Sequence, residues 1–141
     1  MTVLVGIPPE TVDRVWPLIE ERIEEACAAS RGKEAAFDIR RSARHGEKQI
    51  WIAWDEAAKD ALAVVVTEIA VYPRKTVCHI QICIGERRER WQQHVSVIEA
   101  WAKAKGCRGM SLVARPGWSR VLKPFGYELT HHLVEKDFHD A

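Results

Sequence analysis

The chain has 141 residues and 16.1 kDa, the size of one compact domain that can bury a core without staples. Its 47% hydrophobic and 29% charged residues exclude a disordered chain, a collagen-like repeat and a coiled coil. Twenty-one Lys and Arg against 20 Asp and Glu leave a formal charge of +1, far from the basic balance of a nucleic-acid module.

Met1 to Ile7 has no basic lead and does not read as a signal peptide. Pro8-Pro9-Glu10 then opens a helix, since proline is tolerated where its missing N–H costs nothing. Val12, Val15, Trp16, Ile19, Ile23, Ala26 and Cys27 recur at helical spacing, with Pro17 inside the pattern. The outer face carries Glu20, Glu21, Arg22, Glu24 and Glu25, which reads as a solvated helix face, with an acidic partner site as the alternative. Gly32 ends the helix, and a second, shorter one spans about 34 to 44.

Strands follow over 49–54, 61–72 and 77–84, joined by short turns into a three-stranded antiparallel meander. In the third, alternation puts Ile80, Ile82 and Ile84 on one face and His79, Gln81 and Cys83 on the other. Trp91, Val95, Ile98, Trp101 and Ala102 then repeat at helical spacing, which predicts Ile98 and Trp101 as core, and Gly106 stops that helix. Strand, helix and strand imply a right-handed crossover, with 110–114 parallel to 77–84. Pro116-Gly117 opens a short helix to about Pro124, in which Arg115–Trp118 is expected to hold a fixed structural role. A last strand, Tyr127 to Lys136, leads to a frayed tail at His139-Asp140-Ala141. The resulting class is α+β, a three-layer mixed sheet flanked by helices, in a single domain over 1–141.

This order of elements resembles the GNAT (Gcn5-related N-acetyltransferase) fold over residues 10 to 136. The resemblance is carried by Ala100-Trp101-Ala102-Lys103-Ala104-Lys105-Gly106-Cys107, the strand after it, and the ending Leu122-Lys123-Pro124-Phe125-Gly126-Tyr127-Glu128. The stretch Arg115-Pro116-Gly117-Trp118-Ser119-Arg120-Val121-Leu122 is similar to a small GNAT-like group encoded by tailed phages and prophages near virion genes. The resemblance implies an acetyl-CoA site in the loop after the central strand, where active enzymes have Q/R-x-x-G-x-G/A. Here the loop reads Gly85-Glu86-Arg87-Arg88-Glu89-Arg90-Trp91: one glycine at its start, two carboxylates where phosphate would sit, and Arg87, Arg88 and Arg90 as donors that could compensate; the bland alternative is a charged helix start on the surface. Where many of these enzymes place a proton-donating tyrosine, this chain has Leu122.

A base for amine acetylation would come from Glu68 and His79, which a hairpin centred on residues 74 and 75 brings near each other; the bland alternative is a cross-strand polar pair. His131 and His132 point to opposite faces of their strand and cannot share a metal, and no zinc spacing exists. Cys27, Cys78, Cys83 and Cys107 form no C-x-x-C pair and read as reduced, mostly buried thiols of a cytosolic protein; Cys83 as a nucleophile is the sharper alternative. Trp51 and Trp54 sit on opposite faces of one strand, which predicts one of them at a surface or interface.

Two readings compete, with a weak third. One is an acetyl-CoA-dependent N-acetyltransferase of unspecified amine, using Glu68 and His79. The other is a GNAT-like protein with a degraded coenzyme A site, serving as a non-catalytic virion or assembly component with a protein partner. The second implies the cytoplasm of a bacterial host and association with the virion. A nucleic-acid partner through Arg40, Arg41, Arg44, Lys48 and the 87–90 arginines is disfavoured by the near-neutral charge. No apolar run approaches the ~20 residues that span a bilayer.

Overall fold

The computed structural model describes residues 1–114 and 117–139. It falls into two compact units, Met1–Ser111 and Leu112–Ala141. Arg115 and Pro116, and the tail residues Asp140 and Ala141, lie outside the described residues, and with them the expectations placed on them.

The first unit is built on one sheet, ordered β1 (Thr2–Ile7), β2 (Gln49–Asp55), β3 (Asp60–Tyr72), β4 (Lys75–Gly85) and β5 (Gly109–Leu112). The first four strands form an antiparallel meander. β5 runs parallel to β4: the Arg108 N–H donates to the Thr76 carbonyl at 2.8 Å, and Ser111 meets His79, so both numbers climb together. The mixed sheet is therefore as expected, and β1 is an addition to it.

On one face pack α1 (Val12–Ala28) and α2 (Ala36–Arg44). Val12, Trp16, Ile19, Ile23 and Cys27 of α1 and Ile39 and Ala43 of α2 meet Ile50, Ile52, Val64, Val66 and Ile82 in one core. Burying side chains of this kind gives ~1.5–3 kcal/mol each. Pro17 sits in the second turn of α1 without ending the helix. The N-terminus of α2 is held by Asp38, whose carboxylate accepts the Ala35 N–H at 3.0 Å.

The opposite face belongs to α3 (Val95–Ala104), reached through two 3-10 turns, Arg88–Arg90 and Gln92–His94. Ile98 and Ala102 are buried there; Trp101 is half-buried, its ring set edge-on to Trp51 at 5.5 Å. Trp91 lies ahead of α3 in the junction between the 3-10 turns, not on the helix stripe. Of the two strand tryptophans, Trp51 is buried and donates its indole N–H to Thr67, and Trp54 is half-buried, packed against the α1/α2 core.

Two bulges set the faces. Ala53 pairs with Ala63 and Trp54 with Ala61, leaving Leu62 extra; Val66 pairs with Ile82 and Thr67 with Ile80, leaving Gln81 extra. Directly opposed residues share a face. Ile80, opposite Thr67, therefore turns to the α3 side, while Ile82 and Ile84 stay with α1 and α2. The strict alternation expected for β4 fails because the extra residue reverses the phase.

The second unit holds α4 (Trp118–Leu122), a 3-10 turn over Lys123–Phe125, and Gly126 in the left-handed region at φ 90°. Leu122 is buried. Residues 127–139 form no strand, contrary to the expected Tyr127–Lys136 strand. That stretch exposes Leu129, Leu133, Val134 and Phe138, so its apolar residues lack the single buried face a paired strand needs.

Candidate functional site

The β3–β4 hairpin places Glu68 directly opposite His79, as its turn predicts. The phase change at Gln81 keeps this pair on the α1/α2 side of the sheet. Lys48, in the turn after α2, reaches the same point. Its Nζ lies 3.0 Å from Glu68 Oε2 and 3.4 Å from Glu34 Oε2, and it donates to Gln81 Oε1. The Gln81 amide in turn donates to Glu34 Oε1. The Lys48 side chain is 11% exposed, so this cation is neutralised and largely desolvated.

His79 closes the network toward β5, with Nδ1 2.9 Å from Ser111 Oγ. Burial holds its imidazole below the ordinary histidine range; Glu68 pulls the other way and Lys48 adds to the lowering. His79 is thus neutral at pH 7, with the orientation fixed by a hydroxyl from the parallel neighbour strand. Glu68 is in direct ion contact with Lys48, which engages the carboxylate expected to work with His79.

The 85–91 loop leaves the other end of β4. Gly85 pairs with Ala63, and a Cβ there would sit 2.3 Å from the Ala63 Cβ and 2.4 Å from the Leu62 carbonyl oxygen. Close strand packing, not a ligand, accounts for this glycine. The Glu86 N–H donates to Leu62, and the Glu86 carbonyl accepts the indole N–H of buried Trp91 at 2.8 Å. Arg87 takes the left-handed conformation at φ 52°, an uncommon place for a side chain with a Cβ. Arg90 is committed to Asp55, 3.1 Å away, whose side chain is 7% exposed. The Asp55 carboxyl lies below its usual range, chiefly through the Ala58 N–H, with Arg90 and the Ala57 N–H adding and burial opposing. Arg22 lies 3.8 Å from Glu86 and donates to the Ala61 carbonyl.

A pyrophosphate needs convergent backbone N–H groups and little nearby negative charge. This loop turns its Glu86 N–H inward, packs Trp91 against its own backbone, engages Arg90 elsewhere and exposes Glu86 and Glu89. The residues present do not fit acetyl-CoA. Sequence reasoning grouped Arg87, Arg88 and Arg90 as one donor set; the structure separates Arg90 from it.

The remaining candidates are the cysteines. Cys83 is pushed up to about 12 and Cys78 to about 11, both chiefly by burial, so neither is a thiolate near neutrality. All four cysteines are free. Among the described residues no group of His, Cys, Asp and Glu could hold a metal, and no helix is long and apolar enough to cross a membrane. The residues sequence reasoning missed are Lys48 as the hub of the Glu68 network, Ser111 as the partner of His79, and Asp55 as the partner of Arg90. Asp55 lies 35 positions before Arg90, and no local pattern joins them.

No family model matches the chain, and no curated protein matches it. Solved structures do. A GCN5-related N-acetyltransferase from Ralstonia eutropha JMP134 aligns at TM-score 0.72 and 14% identity, covering 97% of this chain and 99% of that one. A predicted acetyltransferase with acetyl-CoA from Clostridium acetobutylicum gives 0.67 and 14%, covering 97% and 96%. An aminoglycoside acetyltransferase from an uncultured soil metagenomic sample, in complex with sisomicin, gives 0.66 and 12%, covering 97% of each. At these identities the likeness is one of fold, and the fold of this chain is GNAT-like: a mixed five-stranded sheet with flanking helices.

Proposed function

We propose that this chain is a GNAT-fold protein that does not use acetyl-CoA and serves as a non-catalytic component of a phage virion or of its assembly. One observation carries the non-catalytic reading: the loop that would receive the pyrophosphate is closed on itself by Trp91 and Glu86 and tied to β2 through Arg90 and Asp55. Leu122, where the resemblance calls for a proton donor, supports it. The virion role is supported by the likeness of residues 115–122 to phage-encoded proteins of this fold, and it implies a protein partner.

Calorimetric titration with acetyl-CoA tests the first half. No saturable binding is expected. A low-micromolar dissociation constant, weakened by Arg87→Ala or Arg88→Ala, overturns it. For the second half, mass spectrometry of purified particles from the phage or lysogen that encodes the chain should find it in stoichiometric amount; its absence from particles and assembly intermediates rejects the virion role.

A second reading, an N-acetyltransferase of an amine, is favoured by His79: a neutral imidazole, held by Ser111 and beside Glu68, suits a general base. Acetyl transfer to any amine that is lost in His79→Gln with the fold intact would establish this reading.

A further inference from the structure

The cations that stand in runs in the sequence are largely spent. Arg40 and Arg44 pair with Asp13, Lys48 with Glu34 and Glu68, and Arg90 with Asp55. Five cations that have no ion pair among the described residues meet elsewhere, at one corner of the Met1–Ser111 unit. Arg74 and Lys75 form the tip of the β3–β4 hairpin; Lys103, Lys105 and Arg108 end α3 and enter β5. Two contacts hold these segments side by side. Arg108 donates its N–H to Thr76, and the Lys75 side chain crosses Gly109, where an added Cβ would lie 3.1 Å from its Cε. All these cations are exposed, with Val71 and Tyr72 exposed beside them. A cleft of about 300 Å³ opens next to Lys103 and Arg108, and Glu99 is the one acid among its lining residues.

Lysines at the end of α3 offset the helix dipole, which is an ordinary role. That role does not explain Arg74 and Lys75, which come from a different segment and add like charge to the same spot. Uncompensated like charges repel, so the corner favours an acidic partner.

The same unit carries the complement. Glu20, Glu21, Glu24 and Glu25 form one exposed stripe on α1, because residues three and four apart on a helix are neighbours. None of them has an ion pair among the described residues. Leu18, 49% exposed, stands one turn before them. An apolar residue flanked by four carboxylates matches an apolar pair, Val71 and Tyr72, flanked by cations.

We propose that the basic corner docks on the acidic α1 stripe of a second copy of this chain. The net charge of +1 and the glutamate stripe oppose a nucleic acid and favour this occupant. The two surfaces differ, so the contact is head-to-tail, and each copy in a pair keeps one surface free. Such contacts build rings or open chains. The inference holds whether or not acetyl-CoA binds.

Sedimentation velocity over a concentration series tests it. At low salt the mean mass should rise with concentration; at about 1 M salt, where the screening length falls to ~3 Å, it should return to the monomer. Reversing the corner (R74E, K75E, K103E, R108E) or the stripe (E20K, E21K, E24K, E25K) should each weaken association on the order of tenfold or more, as loss of several exposed ion pairs implies. Mixing the two reversed proteins should restore it, because each then offers the charge the other lacks. Circular dichroism checks that both variants are folded. A monomer at every salt and concentration overturns the proposal. So does association that neither reversal weakens, or a mixture that stays monomeric. Binding of a labelled oligonucleotide that the corner reversal abolishes, without self-association, assigns the corner to nucleic acid instead.

Discussion

The two ends of β4 both carry charged and polar groups, and they use them differently. Around His79, side chains from separate elements converge: Lys48 from the turn after α2, Glu34 from the segment before it, Glu68 from β3 and Ser111 from β5. At Gly85–Trp91 the groups come mostly from the loop itself, and the closure is made by backbone and one indole. In the first arrangement the half-buried imidazole of His79 should answer to pH. The second, beside its Arg90–Asp55 tie, is held by packing and should answer to side-chain volume. If that contrast is right, the loop is a structural element and the network is where any residual chemistry resides.

The hardest test falls on the loop. Trp91→Ala removes a buried ring and strands the Glu86 carbonyl, and should cost ~3–5 kcal/mol of stability by chemical denaturation. A loss under ~1 kcal/mol would mean that the indole does not close the loop, and the argument against a cofactor there would fall with it. Gly85→Ala comes next. The added methyl overlaps Ala63 and the Leu62 carbonyl, and a shift of β3 or β4 to admit it should cost ~1–3 kcal/mol. A neutral result would show that the strands are free to part at this end. Trp101→Ala should cost less than Trp91→Ala, about 2 kcal/mol, because its ring is only half-buried and loses chiefly its edge contact with Trp51. Equal costs would place Trp101 in the core proper.

Much of this fold was legible in the residues, and the failures have physical causes. The α1 stripe, the meander and the crossover follow from periodicity, since each buries a face of consistent phase. Glu68 and His79 were found because a tight hairpin fixes register. β1 escaped because Thr2–Ile7 is short and neither alternates nor borders a turn on its N-terminal side; what makes it a strand is pairing with β2, some fifty residues on. The reversal of Ile80 escaped because a bulge leaves no mark on composition. Tyr127–Lys136 was misread because β-prone residues were taken as a strand, whereas a strand needs a neighbour to pair with and a face to bury. In the site, residue types were visible and their partners were not. Arg90 looks like a phosphate donor until Asp55 is seen beside it, and Lys48 looks like part of a basic helix end until two carboxylates are found around it.

The pH contrast gives a smaller effect with a definite sign. The folded pKa of His79 lies below the unfolded value of about 6.5, so the unfolded chain takes up a proton first as pH falls. His79 contributes no pH dependence above that value, and stability declines from there down to its folded pKa. Asp55 acts lower: its depressed carboxyl contributes stability above the unfolded value near 3.8, which is lost as pH falls through the folded one. Urea midpoints between pH 7.5 and pH 5 should therefore fall in the wild type and fall less in His79→Asn. Equal slopes would remove His79 from the network as a titrating member.

The smallest effect concerns the thiols. Burial raises Cys83 to about 12 and Cys78 to about 11, so the thiolate fraction at pH 8 is negligible in the folded chain. Iodoacetamide should label neither residue at pH 8 under native conditions and both in denaturant, with Cys83→Ser leaving every binding property described above unchanged. Rapid labelling of Cys78, which is fully buried, would show that β4 opens to solvent; rapid labelling of half-buried Cys83 would show instead that its thiol ionises well below about 12.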